Sequence, residues 1–540
     1  MIYTSPYPSL GQLSSENVIA QFYAGSQSWC ELPAMIDAST GKSITNLQVR
    51  DVIPRYAHVL ATRHRISVND VVMLSTTNSI FHQTIHFAVI SQGGIVSPSN
   101  ISYTAQELAH QISMVRPKLF IVSDFNLELA EQALVLANHK CPIEKLSAVC
   151  GLVERLISEP SAPQAAPVVV NAFEQHAYYC FSSGTSGLPK AVITTQMNIY
   201  SNSLQQSGSG SPVITEIQVA GAPLPMSHIY GLNLFVWTLP LLQRTVVVFP
   251  KFDFLEVMQA IVKYKIQAVF AVPPIVVAMT KSPALDPLVG PICQSLKFVK
   301  SGAAPLSAEV VELFDQRFKG VQLYQGYGMT EMSPVSHNAG TSMLANYDPS
   351  SVGWVVSDTE MRLVDPDSGT DVSAGERGEI WIRGPQVMKG YLNNQQATDD
   401  CLVPGGWLRT GDIGVADKTG QTYVVDRLKE LIKSKGHQVA PAELEGLLLN
   451  HPKVVDVAVI GIPDKDLTTE RPRAYVVLGD GGDPIEVVKW FNRQVSPHKK
   501  LWGGLVVVNQ IVKNPSGKIL RKAYRDRNDV NVYGESLAKL

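Results

Sequence analysis

The residues best suited to chemistry in this 540-residue chain are Ser182, Ser183, Gly184, Thr185, Ser186 and Gly187, followed by Lys190. Small residues let successive backbone N–H groups turn inward together, and the resulting concavity suits the oxygens of a phosphate. The hydroxyls add donors and Lys190 adds a point charge. The stretch is not a Walker loop. Counted from Gly184, Pro189 stands where the second glycine would fall, and Ala191 follows the lysine in place of Ser or Thr. Bulky Tyr178 to Phe181 precede it and read as a strand. A strand-mounted phosphate loop of non-Walker type is expected.

Further segments carry complementary groups. Phe298 to Pro305 is a strand followed by small residues, where Gly302, Ala303 and Ala304 let something planar approach the backbone before Pro305. From Gln322 to Glu331, Tyr327 lies between Gly326 and Gly328 and offers a stacking face. Thr330 adds a hydroxyl there, and Glu331 a carboxylate able to hold Mg2+. Asp412 is expected in a turn, where it can accept both hydroxyls of a ribose. Proline and glycine pin the segment around His228, which precedes an apolar helix at 232–242, so this histidine could wall a pocket. Arg427, Lys429, Lys433 and Lys435, with Gly436 after them, suggest a hinge and binding edge. The turn Pro515-Ser516-Gly517 projects Lys518 toward a developing phosphate charge.

The elements that must position these groups follow a βα alternation. A helix is expected over 47–60, with buried strands at 70–75 and 120–123, which argues for a largely parallel sheet with helices on its faces. In such sheets ligand-binding loops gather at the carboxyl ends of the strands. From Ala440 the pattern changes to a compact α/β unit, with a helix opening at Pro441, strands at 454–462 and 474–478, and a helix at 484–495. The length exceeds one core and implies at least two domains. A net charge of -2 gives no basic field for nucleic acid, and the longest apolar run is too short to span a bilayer. No Lys or Arg precedes Lys42, so the charged region of a signal peptide is not expected. The six cysteines form no C-x-x-C pair and read as buried thiols in a reducing compartment, and His82, His86 and His110 read as structural. Ala538-Lys539-Leu540 is similar to the Ser-Lys-Leu address read by the peroxisomal import receptor; a cytoplasmic location is the alternative.

The motifs Ser182 to Lys190, Tyr327 to Glu331, Trp407 to Asp412, Asp426 to Lys433 and Pro515 to Lys518 together resemble the adenylate-forming superfamily in order and approximate spacing. That superfamily comprises acyl- and aryl-CoA synthetases, 4-coumarate–CoA ligases, beetle luciferases and the adenylation domains of peptide synthetases. His228-Ile-Tyr-Gly231 and the stretch Lys435 to Pro441 look most like the 4-coumarate–CoA ligase branch. The resemblance implies an α/β fold with a large N-terminal domain of layered α/β subdomains over 1–425. A hinge over 426–430, at Lys429, would lead to a small mobile α+β C-terminal lid over 431–540. It further implies an ATP-dependent acid–CoA ligase that forms an acyl-adenylate of an aryl, medium-chain or specialised-metabolite acid and passes the acyl group to CoA. ATP, Mg2+ and coenzyme A would be required, and the chain would be a monomer or homodimer. By the same resemblance, residues 182–187 with Lys190 match the phosphate loop, Thr330 the α-phosphate contact, and Thr185 with Glu331 the Mg2+ ligands. Gly302 to Pro305 match the adenine and acyl wall, Gln325, Gly326, Tyr327 and Gly328 the adenine site, and Asp412 and Arg427 the ribose contacts. Lys518 matches the adenylation lysine, and Lys433, Lys435 and Gly436 the thioester-forming face. His228, Tyr230, Lys300, Pro334 and Val335 match the acyl pocket. Ala191 and Gln196 depart from the glycine and histidine common at those positions, without touching a principal catalytic group. Loading of a carrier protein, or luciferase-like oxygenation of the adenylate, would use the same motifs.

Overall fold

The computed structural model describes residues 1–25, 30–182, 188–208, 211–306, 308–434, 437–464, 469–513, 517–525, 527 and 529–534. Two seven-stranded sheets dominate it. In the first, Gly390–Tyr391, Lys190–Thr195, His176–Ser182, Ile95–Pro98, Val71–Ser75, Leu119–Val122 and Ile143–Lys145 lie side by side. The last five run parallel, while Lys190–Thr195 and Gly390–Tyr391 are antiparallel additions at one edge. In the second, Gln322–Gln325, Phe298–Ser301, Ala268–Ala271, Val219–Ala222, Thr245–Val248 and Pro33–Asp37 are parallel, and Ser43–Thr45 closes the edge antiparallel. Helices cover both faces, which is why strands such as Val71–Ser75 and Thr245–Val248 are buried at every residue and read as unbroken apolar runs.

The helix Asn46–Arg63 starts at a capping box, in which the Thr45 hydroxyl accepts the Gln48 N–H and the Gln48 side chain accepts the Thr45 N–H. The apolar stretch after His228 is helical, but over Leu232–Thr238 its hydrogen bonds run i→i+5. This wider turn accommodates Asn233, fully buried and bonded to Ser203, Gln206, Thr238 and the Ser333 carbonyl.

A third, antiparallel sheet is built from Ile2–Thr4, Glu360–Val364, Arg377–Arg383, Trp407–Ala416, Leu402–Val403 and Thr422–Arg427. Asp412 therefore lies within a ten-residue strand, not in the expected turn. The register slips opposite Glu379 to Trp381, and Gly411 takes φ +72°, so the local kink is a bulge inside a ladder. The carboxylate is aimed by strand pairing on both sides.

Beyond the turn at 428–430 comes a small α+β unit: strands Val454–Asp464, Thr469–Leu478 and Leu505–Val507, with helices Pro441–Leu449 and Pro484–Gln494. Leu444, Leu448, Val459, Val476, Phe491 and Leu505 form its separate core. Arg521 forks onto both Glu445 oxygens at 2.8 and 2.7 Å within this unit. Among the described residues no helix is long and apolar enough to cross a membrane. All six cysteines are free thiols, but only Cys180 is fully buried, so the expectation of buried thiols holds at that position alone.

Candidate active site

The strands on either side of the expected phosphate loop, His176–Ser182 and Lys190–Thr195, pair antiparallel, with Ser182 directly opposite Lys190. Ser183, Gly184, Thr185, Ser186 and Gly187 lie outside the described residues, as do Lys435, Gly436, Pro515, Ser516 and Ala538 to Leu540. His110, expected to be structural, donates from Nε2 to the Pro189 carbonyl at 3.0 Å and so braces the hairpin. His82 and His86 are buried among Thr76, Met226 and Tyr178, and burial pushes His82 down to about 4. Lys190 Nζ lies 4.2 Å from the centre of the Tyr391 ring.

Glu331 is buried in a short helical turn, Thr330–Met332, and its Oε1 accepts the Tyr391 hydroxyl at 2.8 Å. The chain folds back sharply after it. Met329 N–H donates to the Pro334 carbonyl at 2.9 Å, and a β-carbon at Gly328 would fall inside that carbonyl. Buried amides hold the returning strand. Asn202 Nδ2 donates to the Val335 carbonyl at 2.7 Å, its Oδ1 accepts the Val335 N–H at 3.1 Å, and Asn233 Nδ2 donates to the Ser333 carbonyl at 3.0 Å. Pro334 and Val335 are thereby fixed against two helices.

Asp412 joins two expected nucleotide contacts. Its Oδ2 accepts the Tyr327 hydroxyl at 2.6 Å, and its Oδ1 lies 3.2 Å from Arg427 Nε. Burial first, then the Asp412 charge, keeps the Tyr327 phenol protonated. Lys518 reaches this cluster from the small unit. Burial first and Arg427 second push its ammonium down to about 8, while Asp412 and Glu430 act in the opposite sense. Gly517, at φ +79°, makes the approach possible, because a β-carbon there would press on Val272 at 3.0 Å. Between the two parts runs a cleft of about 1600 Å³ lined by Ala303, Gln325, Tyr327, Asp412, Arg427 and Lys518, among others.

His228 caps the helix that follows it, Nδ1 accepting the Tyr230 N–H at 3.3 Å, which leaves the proton on Nε2. Burial and then the Lys518 charge push its ring down to about 4, so it is neutral at pH 7. Tyr230 donates its hydroxyl to the Lys300 carbonyl at 3.3 Å and stacks where a Gly302 side chain would begin. Lys300 is buried beneath Gly326, donates to Asn338 Oδ1 at 3.0 Å, and is pushed down to about 7 by burial. Gln325 holds the wall in shape, accepting the Leu306 N–H at 2.9 Å and donating to the Pro349 carbonyl at 2.8 Å.

The fold thus gathers Tyr327, Asp412, Arg427, Lys518 and His228 at one place, and Lys190 and Glu331 around Tyr391. Lys433 does not join them: it lies exposed on the hairpin strand Ile432–Ser434 and is not among the described residues lining the cleft. Lys429 is exposed in the connecting turn. Tyr391, Asn202 and Asn233 escaped the sequence reading. The Gly390-Tyr391 pair was the one local signal for the first, and a lone asparagine in a helix gives none.

A family model described as AMP-binding enzyme matches residues 22–392, and one described as AMP-binding enzyme C-terminal domain matches residues 443–518. The chain is 36% identical over 536 residues to 4-coumarate–CoA ligase-like 6 of Arabidopsis thaliana, covering 96% of this chain and 92% of that one. It is 37% identical over 500 residues to peroxisomal OPC-8:0-CoA ligase 1 of the same plant, covering 91% and 89%. Its fold matches that of a benzoate CoA ligase from Burkholderia xenovorans with a TM-score of 0.81 at 23% identity, over 94% of this chain and 100% of that one.

Proposed function

This chain belongs to the AMP-binding enzyme family, and we infer on that premise that it is an ATP-dependent, AMP-forming acid–CoA ligase. The relatives named as CoA ligases support the overall reaction. The observation that carries the mechanism is Lys518, delivered by the small unit into electrostatic contact with Asp412, Arg427 and His228 of the large one.

In the first half-reaction the acid's carboxylate attacks the α-phosphorus of ATP and pyrophosphate leaves. Lys190 on the hairpin and Lys518 from the small unit meet the charge that grows on the phosphates, and each such preorganised charge is worth about 10²–10³ in rate. Asp412 and Arg427 hold the ribose, and Tyr327 and the Gly302 to Pro305 wall hold the adenine. Glu331 fits Mg2+ because that ion takes one or two carboxylates plus substrate phosphates and waters, and one buried carboxylate is what the described residues offer here. The ion, with Thr185 as a second ligand, would neutralise phosphate charge. His228 is uncharged at pH 7, so its part is to close the acyl pocket and present an Nε2–H. In the second half-reaction the CoA thiol attacks the acyl carbonyl, loses its proton and expels AMP. Rotation about the turn at Lys429 would exchange Lys518 for the face bearing Lys433, Lys435 and Gly436. The acyl pocket of His228, Tyr230, Lys300, Pro334 and Val335 takes an aryl, medium-chain or specialised-metabolite acid.

Pyrophosphate release from ATP and Mg2+ is measured against a panel of such acids, with and without CoA. Acid-dependent pyrophosphate, and AMP with thioester once CoA is added, is the expected result; no release with any acid refutes the reading. The Ala538-Lys539-Leu540 ending, alongside the similarity to a peroxisomal ligase, supports peroxisomal import. Deleting it should disperse a tagged protein through the cytosol, and an unchanged punctate pattern rejects the address.

A further inference from the structure

The segment from Met388 to Leu392 is bonded to both halves of the phosphate machinery. Met388 N–H donates to the Glu331 carbonyl at 2.9 Å, and Leu392 N–H donates to the Ala191 carbonyl at 2.9 Å. Between them, Gly390–Tyr391 adds an antiparallel strand to Lys190–Thr195, with Tyr391 opposite Val192. Tyr391 is itself tied down, its N–H donating to Thr398 Oγ1 at 2.9 Å, and it is 9% exposed.

Its side chain makes two unlike contacts. The ring face lies 4.2 Å from Lys190 Nζ, a distance at which a cation is attracted to the π-system. The hydroxyl, at the far end of the same ring, donates to Glu331 Oε1 at 2.8 Å. A lysine and a glutamate that flank one side chain are candidates to pair with each other, each cancelling the charge that the other offers a ligand. Here one side chain engages both, the cation with its ring face and the anion with its hydroxyl.

We propose that Tyr391 is a positioning residue for the adenylation half-reaction, holding Lys190 ready for the nucleotide phosphates and Glu331 ready for their Mg2+ by keeping the two from pairing. This rests on the ligase reading above. It separates two functions within one side chain. Phenylalanine keeps the ring under Lys190 but drops the bond to Glu331, whereas leucine removes both.

The test uses the full chain and reads nucleotide binding by calorimetry without acid, once in Mg2+ and once in EDTA. Tyr391→Phe is expected to bind metal-free ATP as the wild type does and to lose about tenfold of the gain that Mg2+ confers. Tyr391→Leu is expected to bind ATP more weakly in EDTA as well. Thioester formation from a supplied acyl-adenylate should stay within twofold of wild type in both. A Tyr391→Phe protein with an undiminished Mg2+ gain, or one weakened equally with and without the ion, overturns the inference. Should the single variant lose thermal stability, a double-mutant cycle with Glu331→Gln still decides. Effects on the Mg2+ gain that are not additive support the coupling, and additive ones reject it. A wild-type protein without acid-dependent pyrophosphate release removes the ligase reading and this inference with it. A competent wild type alongside an unaffected Tyr391→Phe removes only the inference.

Discussion

Adenylation by this protein should fail on the alkaline side because of one amine. Lys518 is drawn from an ordinary value of 10.5 to about 8, mainly by loss of water around its ammonium and then by Arg427; Asp412 and Glu430 work in the opposite direction, and Arg521 adds to the lowering. His228, which also faces it, is already neutral above about 4 and contributes no titration in this range. Only the protonated amine can meet phosphate charge. A group titrating near 8 is roughly nine-tenths protonated at pH 7 and roughly one-tenth protonated at pH 9, so kcat/KM for ATP should fall about tenfold between them. A lysine left at its ordinary value would lose only about 3% over the same interval. At saturating ATP the bound polyanion favours the charged amine, so the limb in kcat should lie higher than the limb in kcat/KM. The assay is acid-dependent pyrophosphate release from pH 6.5 to 9.5 at constant ionic strength, with thioester formation from a supplied acyl-adenylate as the control. Lys518→Arg should be slower but flat to the top of the range, because a guanidinium keeps its proton. A wild-type profile that stays flat, or an alkaline limb that survives in Lys518→Arg, refutes the reasoning.

Asn202→Ala strips Val335 of both amide contacts, and should destabilise the protein by about 1–3 kcal/mol. It should also raise KM for the acid about tenfold while leaving KM for ATP in place, as melting and steady-state kinetics would show. Gly328→Ala forces a β-carbon onto the Pro334 carbonyl and displaces Thr330 and Glu331, so a loss of more than about a hundredfold in pyrophosphate release is expected; activity near wild type would disprove the close approach. Arg521→Ala leaves Glu445 buried without its cation, a change worth about 3–5 kcal/mol at pH 7 in urea unfolding. Burial already holds the Glu445 carboxyl above its usual range. Protonation on going to pH 5 should therefore relieve part of the loss in the variant, and a deficit that instead grows toward acid contradicts the pairing.

Several features were legible because they are encoded locally. Short apolar runs such as Val71–Ser75 and Leu119–Val122 suit strands buried on both faces, and strands occur there. The family was readable from the same kind of information, motifs of four to nine consecutive residues. Elsewhere local signals misled. Trp407 to Gly414 reads as a turn because it holds two glycines, yet the partner strands Arg377–Arg383 and Thr422–Arg427 draw it into a ladder and leave only a bulge at Gly411. The apolar run after His228 is helical as expected, and what its pattern does not carry is the wider turn that goes with buried Asn233 and its distant partners.

Sequence alone, then, determined which residues could bind a phosphate, a ribose or a metal, since that capacity belongs to the side chain and its immediate backbone. Tertiary structure decided which of them meet and in what state of charge. Lys518 and Asp412 are more than a hundred residues apart in the chain, and Tyr391 reaches a lysine and a glutamate from two other segments. Such encounters, and the desolvation that moves Lys518 to about 8 and His228 to about 4, come from how the sheets and the small unit pack. Local pattern carries no record of that packing.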